Sequence, residues 1–186
     1  MVKIKFNESK AEPVRLCLDL GAGKGLDTPD GFTPVDIHPW KGVTVVDLTK
    51  RWPWKMNSVD EAQSVYAINY LTASERVHFF NELYRVLKPD SRCMLSTPHW
   101  CSNRAYADVR AQWPPIAESF YTTLMKSWRE NQNSVDTSGL TCDFEFTLGY
   151  GMHGSILSRN QEYQQHALQY WKETAQDLIV TLTKRK

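Results

Sequence analysis

Residues 16–25 of this chain read LCLDLGAGKG, an apolar run that stops in a loop with three glycines spaced two residues apart. The alternation of Leu and Cys predicts a buried strand. Gly21, Gly23 and Gly25 leave no side chain between the backbone and an incoming molecule. We therefore expect a ligand to approach this loop closely.

The spacing of the glycines narrows the choice of ligand. A P-loop needs GxxxxGK followed by Ser or Thr, whereas here Lys24 is followed by Gly25 and only Ala22 separates the first two glycines. The dinucleotide fingerprint GxGxxG needs a glycine at position 26, which is Leu26. ATP, nicotinamide and flavin cofactors are therefore disfavoured, and the order that remains is DxGxGxG, beginning at Asp19.

The order DxGxGxG resembles motif I of the class I S-adenosylmethionine-dependent methyltransferases. The resemblance implies S-adenosyl-L-methionine as the cofactor, with Gly21, Ala22 and Gly23 against its methionine end and Asp19 helping to orient it. An ordinary glycine-rich turn after a buried strand is the alternative. Residues 26–34, LDTPDGFTP, depart from the family, because their prolines and glycine leave no room for the long helix that normally follows motif I.

Two further predicted strands contain an acidic residue near the end. Residues 34–39, PVDIHP, place Asp36 close to the spacing at which a nucleotide-binding fold brings its second strand beside the first. A carboxylate there accepts both ribose hydroxyls, so Asp36 is the predicted ribose ligand, and Ile37 and His38 are predicted to flank the adenine. The alternative for Asp36 is a cap or turn acid. In residues 43–48, VTVVDL, the resemblance implies that Asp47 and the Leu48 backbone contact the adenine edge.

The predicted fourth strand, residues 60–68, leads to residues 67–70, which are expected to lie at the cofactor's sulfonium. Tyr66 in this strand is assigned to the cofactor site. Residues 67–70, AINY, differ from the (D/N)PPY-type sequence of amino-directed DNA methyltransferases. The Pro-Cys nucleophile of cytosine C5 enzymes is also absent from the sequence. Those two reactions are therefore disfavoured.

A helix and a fifth strand are predicted next. Thr72 and Glu75 form a capping box at the start of a helix over residues 72–88. Residues 81–98 resemble the family's helix, turn and fifth strand, in which the usual sequence is close to LKPGG. Asp90 and Ser91 stand in place of the glycines.

The segment after the fifth strand combines titratable and aromatic residues in TPHWCSNRAYADVRAQWPP, residues 97–115. Strand ends on the carboxyl side of an α/β sheet face the ligand crevice, so this segment is predicted to line the substrate side. His99 is the predicted proton acceptor, with Tyr106 and Asp108 as helpers. A His99 that only braces the loop is the alternative. The aromatic residues and Arg104 suit a flat or an anionic acceptor.

The remaining sequence predicts a helix over residues 116–128, a strand over 140–148, a glycine-rich loop over 149–154 and a capping box formed by Ser158 and Gln161. Residues 178–184 resemble the antiparallel seventh strand of the class I fold.

We therefore predict one α/β domain over residues 1–186, with a mostly parallel seven-stranded sheet, helices on both faces and a shortened helix after motif I. Residues 1–13 are a predicted N-terminal extension, and residues 97–139 a substrate-side insertion or lid.

Composition sets limits on the partners. A net charge of +1 provides no broad basic face, so a small-molecule or nucleotide acceptor is favoured and nucleic acid requires a local patch. The four cysteines form no CxxC pair, which predicts reduced thiols and no metal site. The sequence shows no membrane span or signal peptide, so a cytoplasmic location is expected.

The resemblance extends to small uncharacterised proteins of tailed phages, which implies a host-cytoplasm location for a protein of that origin. Two other function classes stay open. One is a regulatory protein that binds S-adenosylmethionine without catalysis. The other is an enzyme that uses the same pocket for a different reaction on the cofactor or on a nucleotide.

Overall fold

The computed structural model describes residues 15–131 and 134–186, and the predicted N-terminal extension lies outside these residues. The described residues form one seven-stranded sheet with the order β3-β2-β1-β4-β5-β7-β6. The strands are β1 (Cys17–Leu20), β2 (Phe32–Asp36), β3 (Thr44–Val45), β4 (Val59–Val65), β5 (Leu87–Pro98), β6 (Phe144–Met152) and β7 (Ala175–Lys184).

The strand directions match the predicted class I arrangement. β1 pairs in parallel with β2 and β4, β2 pairs in parallel with β3, and β4 pairs in parallel with β5. β7 lies between β5 and β6 and is antiparallel to both, which confirms the predicted antiparallel last strand. The chain order reverses between β1 and β4, and in such sheets ligands bind beyond the carboxyl ends of the strands at this point.

The helices are α1 (Ala73–Val86), α2 (Arg104–Ala107), α3 (Glu118–Thr122), α4 (Lys126–Glu130), α5 (Gly154–Leu157) and α6 (Gln161–Tyr170), and a 3-10 turn covers Ile68–Tyr70. The capping box of Thr72 and Glu75 is present at the start of α1. This helix ends two residues earlier than predicted, because Leu87 has an extended backbone and begins β5. The connection from β1 to β2, which is described throughout, contains no α-helix at all.

The core lies around the central strands. All four residues of β1 are buried, and Phe79, Phe80 and Leu83 of α1 are fully buried within the same apolar cluster. Trp52 packs edge-on against Phe79 with ring centroids 5.3 Å apart. β1 ends at Leu20 and β4 ends at Val65, so the glycine loop follows β1 directly and Tyr66 follows β4 directly.

Several predicted elements differ from the structure. The predicted helix 116–128 is broken into α3 and α4, because Met125 is extended and the Leu124 carbonyl accepts a bond from the Phe144 N–H instead of continuing the helix. Residues 149–152 are not a loop, because they pair with β7 as the end of β6. The capping residue of α6 is Asn160 rather than Ser158, and its side chain accepts from the Tyr163 N–H at 2.9 Å.

Three strands differ from their predicted limits. The second strand begins and ends earlier than predicted, the fourth ends three residues earlier, and the third is reduced to the two residues of β3.

Among the described helices, none has the length and apolar character needed to span a bilayer. Within residues 15–131 and 134–186, His, Cys, Asp and Glu side chains form no group of three that could hold a metal ion.

Candidate functional site

A cavity of about 600 Å³ opens beyond the carboxyl ends of β1, β2 and β4, and we call it the strand-end cavity. Seven of the nine predicted cofactor residues line it: Gly21, Gly23, Asp36, Ile37, Asp47, Leu48 and Tyr66. His38, Ala67 and Tyr70, which were also expected near the cofactor, line it as well. Five further lining residues were not assigned to this site: Val46, Thr49, Val65, Leu71 and Arg110. The structure therefore brings most of the predicted set together.

The glycine loop is held by the neighbouring strand. The N–H groups of Gly21 and Ala22 both donate to the Val35 carbonyl, at 2.8 and 2.9 Å. Gly21 has a φ of +77°, and a Cβ at this position would lie 2.3 Å from the Cβ of Ala67. No other residue type fits here, because the end of β1 passes directly against the residues after β4. At Gly23 a Cβ would meet no atom within 4 Å, so the space beside the loop is open.

Asp36 joins the glycine loop to the end of β2. Its carboxylate accepts from the Gly23 N–H and the His38 N–H, each at 2.9 Å, and lies 3.0 Å from His38 Nδ1. Partial burial raises the pKa of Asp36, but the hydrogen bonds from His38 and Gly23 outweigh it and hold the pKa below its usual value. The carboxylate is therefore ionised at neutral pH and stands at the cavity wall as a hydrogen-bond acceptor.

Asp47 and Asp19 have different surroundings. Asp47 accepts from the N–H and hydroxyl of Thr49, at 2.9 and 2.6 Å, and these bonds lower its pKa. Asp19 is buried and accepts from the Thr28 hydroxyl at 2.6 Å. Asp19 and Ala22 are not among the residues that line the cavity, so Asp19 fixes the connection after β1 rather than facing the open space.

A second cavity of about 190 Å³ adjoins the first, and we call it the side cavity. It shares Tyr66 and Tyr70 with the strand-end cavity. Tyr66 has a φ of +56°, which is rare for a residue with a bulky side chain and is often found at functional sites. Its hydroxyl donates to Asp177 at 2.9 Å and accepts from Arg104 at 3.0 Å, so it links the two cavities to β7.

Of the predicted proton acceptor and its helpers, only Asp108 is among the residues that line the strand-end cavity or the side cavity. It lines the side cavity and accepts from the Tyr70 hydroxyl at 2.7 Å. The Tyr106 hydroxyl donates to the Trp100 carbonyl at 2.6 Å, so its proton is already engaged in a hydrogen bond within residues 97–115. Neither Tyr106 nor His99 lines the strand-end or the side cavity.

His99 is only 2% exposed, and its ring takes part in a hydrogen-bond network with Glu118 and Cys101. Its Nε2 is 2.7 Å from Glu118 Oε1, and its Nδ1 is 2.9 Å from Cys101 Sγ and accepts from the Cys101 N–H. The hydrogen bond from His99 holds the pKa of Glu118 below its usual value, although burial opposes it. A general base needs a free ring nitrogen within reach of the acceptor. This geometry therefore argues against the proton-acceptor role and agrees with the alternative, in which His99 braces the loop.

No family model matches the chain. No curated protein matches it either. Among solved structures it is similar to a SAM-dependent methyltransferase from Archaeoglobus fulgidus, with a TM-score of 0.65 and 16% identity over 91% of this chain and 86% of that one. It is also similar to the 1,6-didemethyltoxoflavin-N1-methyltransferase of Burkholderia thailandensis, with a TM-score of 0.58 and 12% identity over 92% of this chain and 71% of that one. The chain has the class I methyltransferase fold.

Proposed function

We propose that the protein binds S-adenosyl-L-methionine in the strand-end cavity and transfers its methyl group to a small-molecule or nucleotide acceptor. The observation that carries the proposal is the meeting of the glycine loop, Asp36 and Asp47 at one cavity of about 600 Å³. Such a volume lies within the range of ligand sites, about 300 to 1,000 Å³. The similarity of the fold to structures of known methyltransferases supports the same conclusion.

The residues present fit this cofactor. The ionised Asp36 fits ribose hydroxyls, because a carboxylate has about four lone-pair positions and the backbone N–H groups of Gly23 and His38 use only two of them. A third position lies beside the ring of His38, which is exposed. Ile37, Val46 and Leu48 supply an apolar wall against which an adenine ring packs. The open space at Gly23 leaves the backbone accessible to the methionine end.

Bound S-adenosyl-L-methionine supplies a methyl carbon activated by the adjoining sulfonium. The chain's part is to hold the acceptor in line with that carbon and to keep competing water away. Tyr66 and Tyr70 line both cavities, so an acceptor held in the side cavity would adjoin a cofactor held in the strand-end cavity. We assign Tyr66 and Tyr70 to positioning, and we assign His99 to bracing the loop.

The ribose assignment is tested by titration calorimetry with S-adenosylmethionine and S-adenosylhomocysteine. Asp36→Ala removes the acceptor of two hydroxyls in a partly buried site, so we expect a loss of about 1 to 3 kcal/mol, or about tenfold to a hundredfold in affinity. Asp30→Ala is the control, because Asp30 is exposed in the connection before β2 and does not line the cavity. Parental affinity in Asp36→Ala would contradict the assignment.

Catalysis is tested by mass spectrometry for S-adenosylhomocysteine after addition of metabolite and nucleic-acid fractions of a cell extract. Conversion with the small-molecule fraction is the expected result. Conversion only with nucleic acid, together with binding that falls steeply with salt, would identify a nucleic-acid acceptor instead. Tight binding of the cofactor without conversion in any fraction would favour the regulatory alternative.

A further inference from the structure

A third cavity, of about 370 Å³, lies between Arg76 of α1 and residues 114–128, and we call it the Arg76 cavity. Among the described residues, it shares none with the strand-end cavity and only Pro115 and Ile116 with the side cavity. Its volume lies within the range of ligand sites, about 300 to 1,000 Å³. Much of its wall is apolar and comes from five side chains: Pro114, Pro115, Ile116, Phe120 and Trp128.

The charge of Arg76 has no partner in the described part of the chain. Arg76 Nε donates to the Ile68 carbonyl at 3.3 Å, and Nη2 is enclosed without a partner. Nη1 also donates no bond to a described residue, but it is not one of the enclosed atoms, so it is the nitrogen that a ligand can reach. Burial lowers the pKa of Arg76, and the group that opposes this effect is Tyr121 rather than a carboxylate. An arginine stays protonated in proteins, so the cavity wall carries an uncompensated positive charge.

The acidic residues next to the cavity in sequence are engaged elsewhere. The Glu75 carboxylate accepts from the N–H and the hydroxyl of Thr72, both at 2.8 Å. The Glu118 carboxylate lies 2.7 Å from His99 Nε2 and accepts from Trp100 Nε1 at 3.0 Å. Among the described residues that line the cavity, none is Asp or Glu, and Arg76 is the only Lys or Arg. A partly buried cation without a counter-charge is costly, so this arrangement points to an anion from outside the chain.

A second free donor lies on the same cavity. Trp128 lines it, and its indole N–H donates no hydrogen bond within the described part of the chain. An indole N–H is a donor only and usually finds a partner when it is not in contact with water. The cavity therefore combines a cation and a neutral donor with apolar walls, which suits a molecule that is anionic at one end and apolar over the rest.

We propose that the Arg76 cavity binds a small carboxylate with a flat apolar body, such as an aromatic acid. The carboxylate accepts from Arg76 Nη1 and from the Trp128 indole N–H, and the ring packs against the apolar wall. Its single negative charge matches the one cation of the cavity, whereas a phosphate monoester carries a charge of about −1.5 to −2 at pH 7. This is a second binding site, and the proposal does not depend on the cofactor assignment.

The test is an NMR titration at pH 7 with benzoate and benzamide, on the protein without S-adenosylmethionine. The two probes have the same ring and nearly the same shape, but only benzoate is charged. We expect the dissociation constant of benzoate to be at least about tenfold lower, because its hydrogen bond with Arg76 is formed between two charged groups. Benzoate should also shift the indole N–H signal of Trp128, which is assigned by its absence from the spectrum of Trp128→Phe.

Arg76→Gln removes the charge and should reduce the preference for benzoate to less than about threefold. Arg51→Gln is the matched control, because Arg51 is exposed and lines none of the three cavities. It should keep the full preference. If Arg76→Gln fails to fold, the two probes and the Trp128 signal of the parent still decide the question.

Four results would overturn the proposal. They are equal binding of the two probes, absence of binding by both, an unchanged preference in Arg76→Gln, and benzoate binding that leaves the Trp128 signal in place. Phenyl phosphate is a third probe, and binding at least about tenfold tighter than that of benzoate would replace the carboxylate with a doubly charged ligand.

Failure of the proposed function gives a different result. A protein that does not bind S-adenosylhomocysteine contradicts the cofactor assignment, but its preference for benzoate should be unchanged. In a protein that does bind it, saturation with S-adenosylhomocysteine should leave the dissociation constant of benzoate within about threefold, because the two cavities have no described lining residue in common. Displacement of benzoate by S-adenosylhomocysteine would contradict a separate site.

Discussion

The strand-end cavity and the side cavity share Tyr66 and Tyr70 but are held together by different kinds of interaction. The strand-end cavity depends on backbone geometry, in which the glycine loop donates to the carbonyl of Val35 and passes against Ala67. The side cavity depends on side chains from distant parts of the chain, such as the bond of Arg104 to Asp177 across 73 residues. We therefore expect backbone changes to damage the first cavity severely and side-chain changes to alter the second by smaller amounts.

The largest effect is expected for Gly21→Ala. The new Cβ would lie 2.3 Å from Ala67 Cβ in a backbone with φ of +77°, so overpacking adds to the cost of the left-handed conformation. Overpacking costs about 1 to 3 kcal/mol and the conformation about 1 to 2 kcal/mol, so we expect a loss of about 2 to 5 kcal/mol in the free energy of unfolding. Denaturant unfolding and calorimetry with S-adenosylmethionine measure the loss of stability and of affinity.

Gly31→Ala is the control for this change. Gly31 has a φ of +83°, but a Cβ there meets no atom within 4 Å. It should lose only the conformational part, about 1 to 2 kcal/mol, and keep its cofactor affinity. If the two variants are equally stable and bind equally well, the close approach of the glycine loop to Ala67 does not shape the strand-end cavity.

The two cavities also differ in how far the sequence predicts them. The glycines follow β1 directly, Asp36 ends β2 and Asp47 lies two residues beyond β3. The carboxyl ends of neighbouring parallel strands meet at one edge, so the order along the chain predicts their meeting. The position of His99 is harder to predict, because the sequence around a histidine does not show whether its ring faces a cavity or the protein interior. Its contact is with Glu118, the first residue of α3 and 19 residues away in the chain, and no local pattern indicates this contact.

The elements after residue 98 were mispredicted for related reasons. The pairing of residues 149–152 with β7 extends β6 through glycines that locally favour a turn, because the cross-strand bonds outweigh the local preference. The break between α3 and α4 depends on the Leu124 carbonyl accepting from Phe144, which is distant in sequence. Thr97, by contrast, lies in the segment predicted to line the substrate side, and Asn69 lies in residues 67–70, which were expected near the sulfonium. Both residues line the side cavity.

An intermediate effect is expected for His99→Leu. The substitution removes the His99 partner of the Glu118 carboxylate, which is only 29% exposed and keeps its bond from Trp100 Nε1. We therefore expect a loss of about 1 to 3 kcal/mol in the free energy of unfolding, with unchanged cofactor affinity. The exposed His166→Gln is the control and should be neutral. Parental stability with turnover reduced about 10² to 10⁴-fold would instead restore the proton-acceptor role.

The effect of His99→Leu should depend on pH. Because the folded protein holds the pKa of Glu118 below its ordinary value of 4.5, this carboxylate stabilises the fold fully above pH 4.5. The contribution is lost as the pH falls through the lower folded pKa. The difference in unfolding free energy between parent and variant should therefore shrink when it is measured at successively lower pH below 4.5, and a constant difference would exclude Glu118 as its source.

The smallest effect is expected for Tyr66→Phe. This variant tests which of the two cavities depends on the Tyr66 hydroxyl. The substitution keeps the ring at the wall of the strand-end cavity and removes one bond to Asp177 and one from Arg104. Since Arg104 and Asp177 still contact each other directly, we expect a loss of only about 0.5 to 1.5 kcal/mol in the free energy of unfolding, measured by denaturant unfolding. Cofactor affinity should stay within about threefold of the parent, because the hydroxyl is engaged on the side of β7. A loss of cofactor affinity of tenfold or more would assign the hydroxyl to the strand-end cavity, and the two cavities would then have to be treated as a single site.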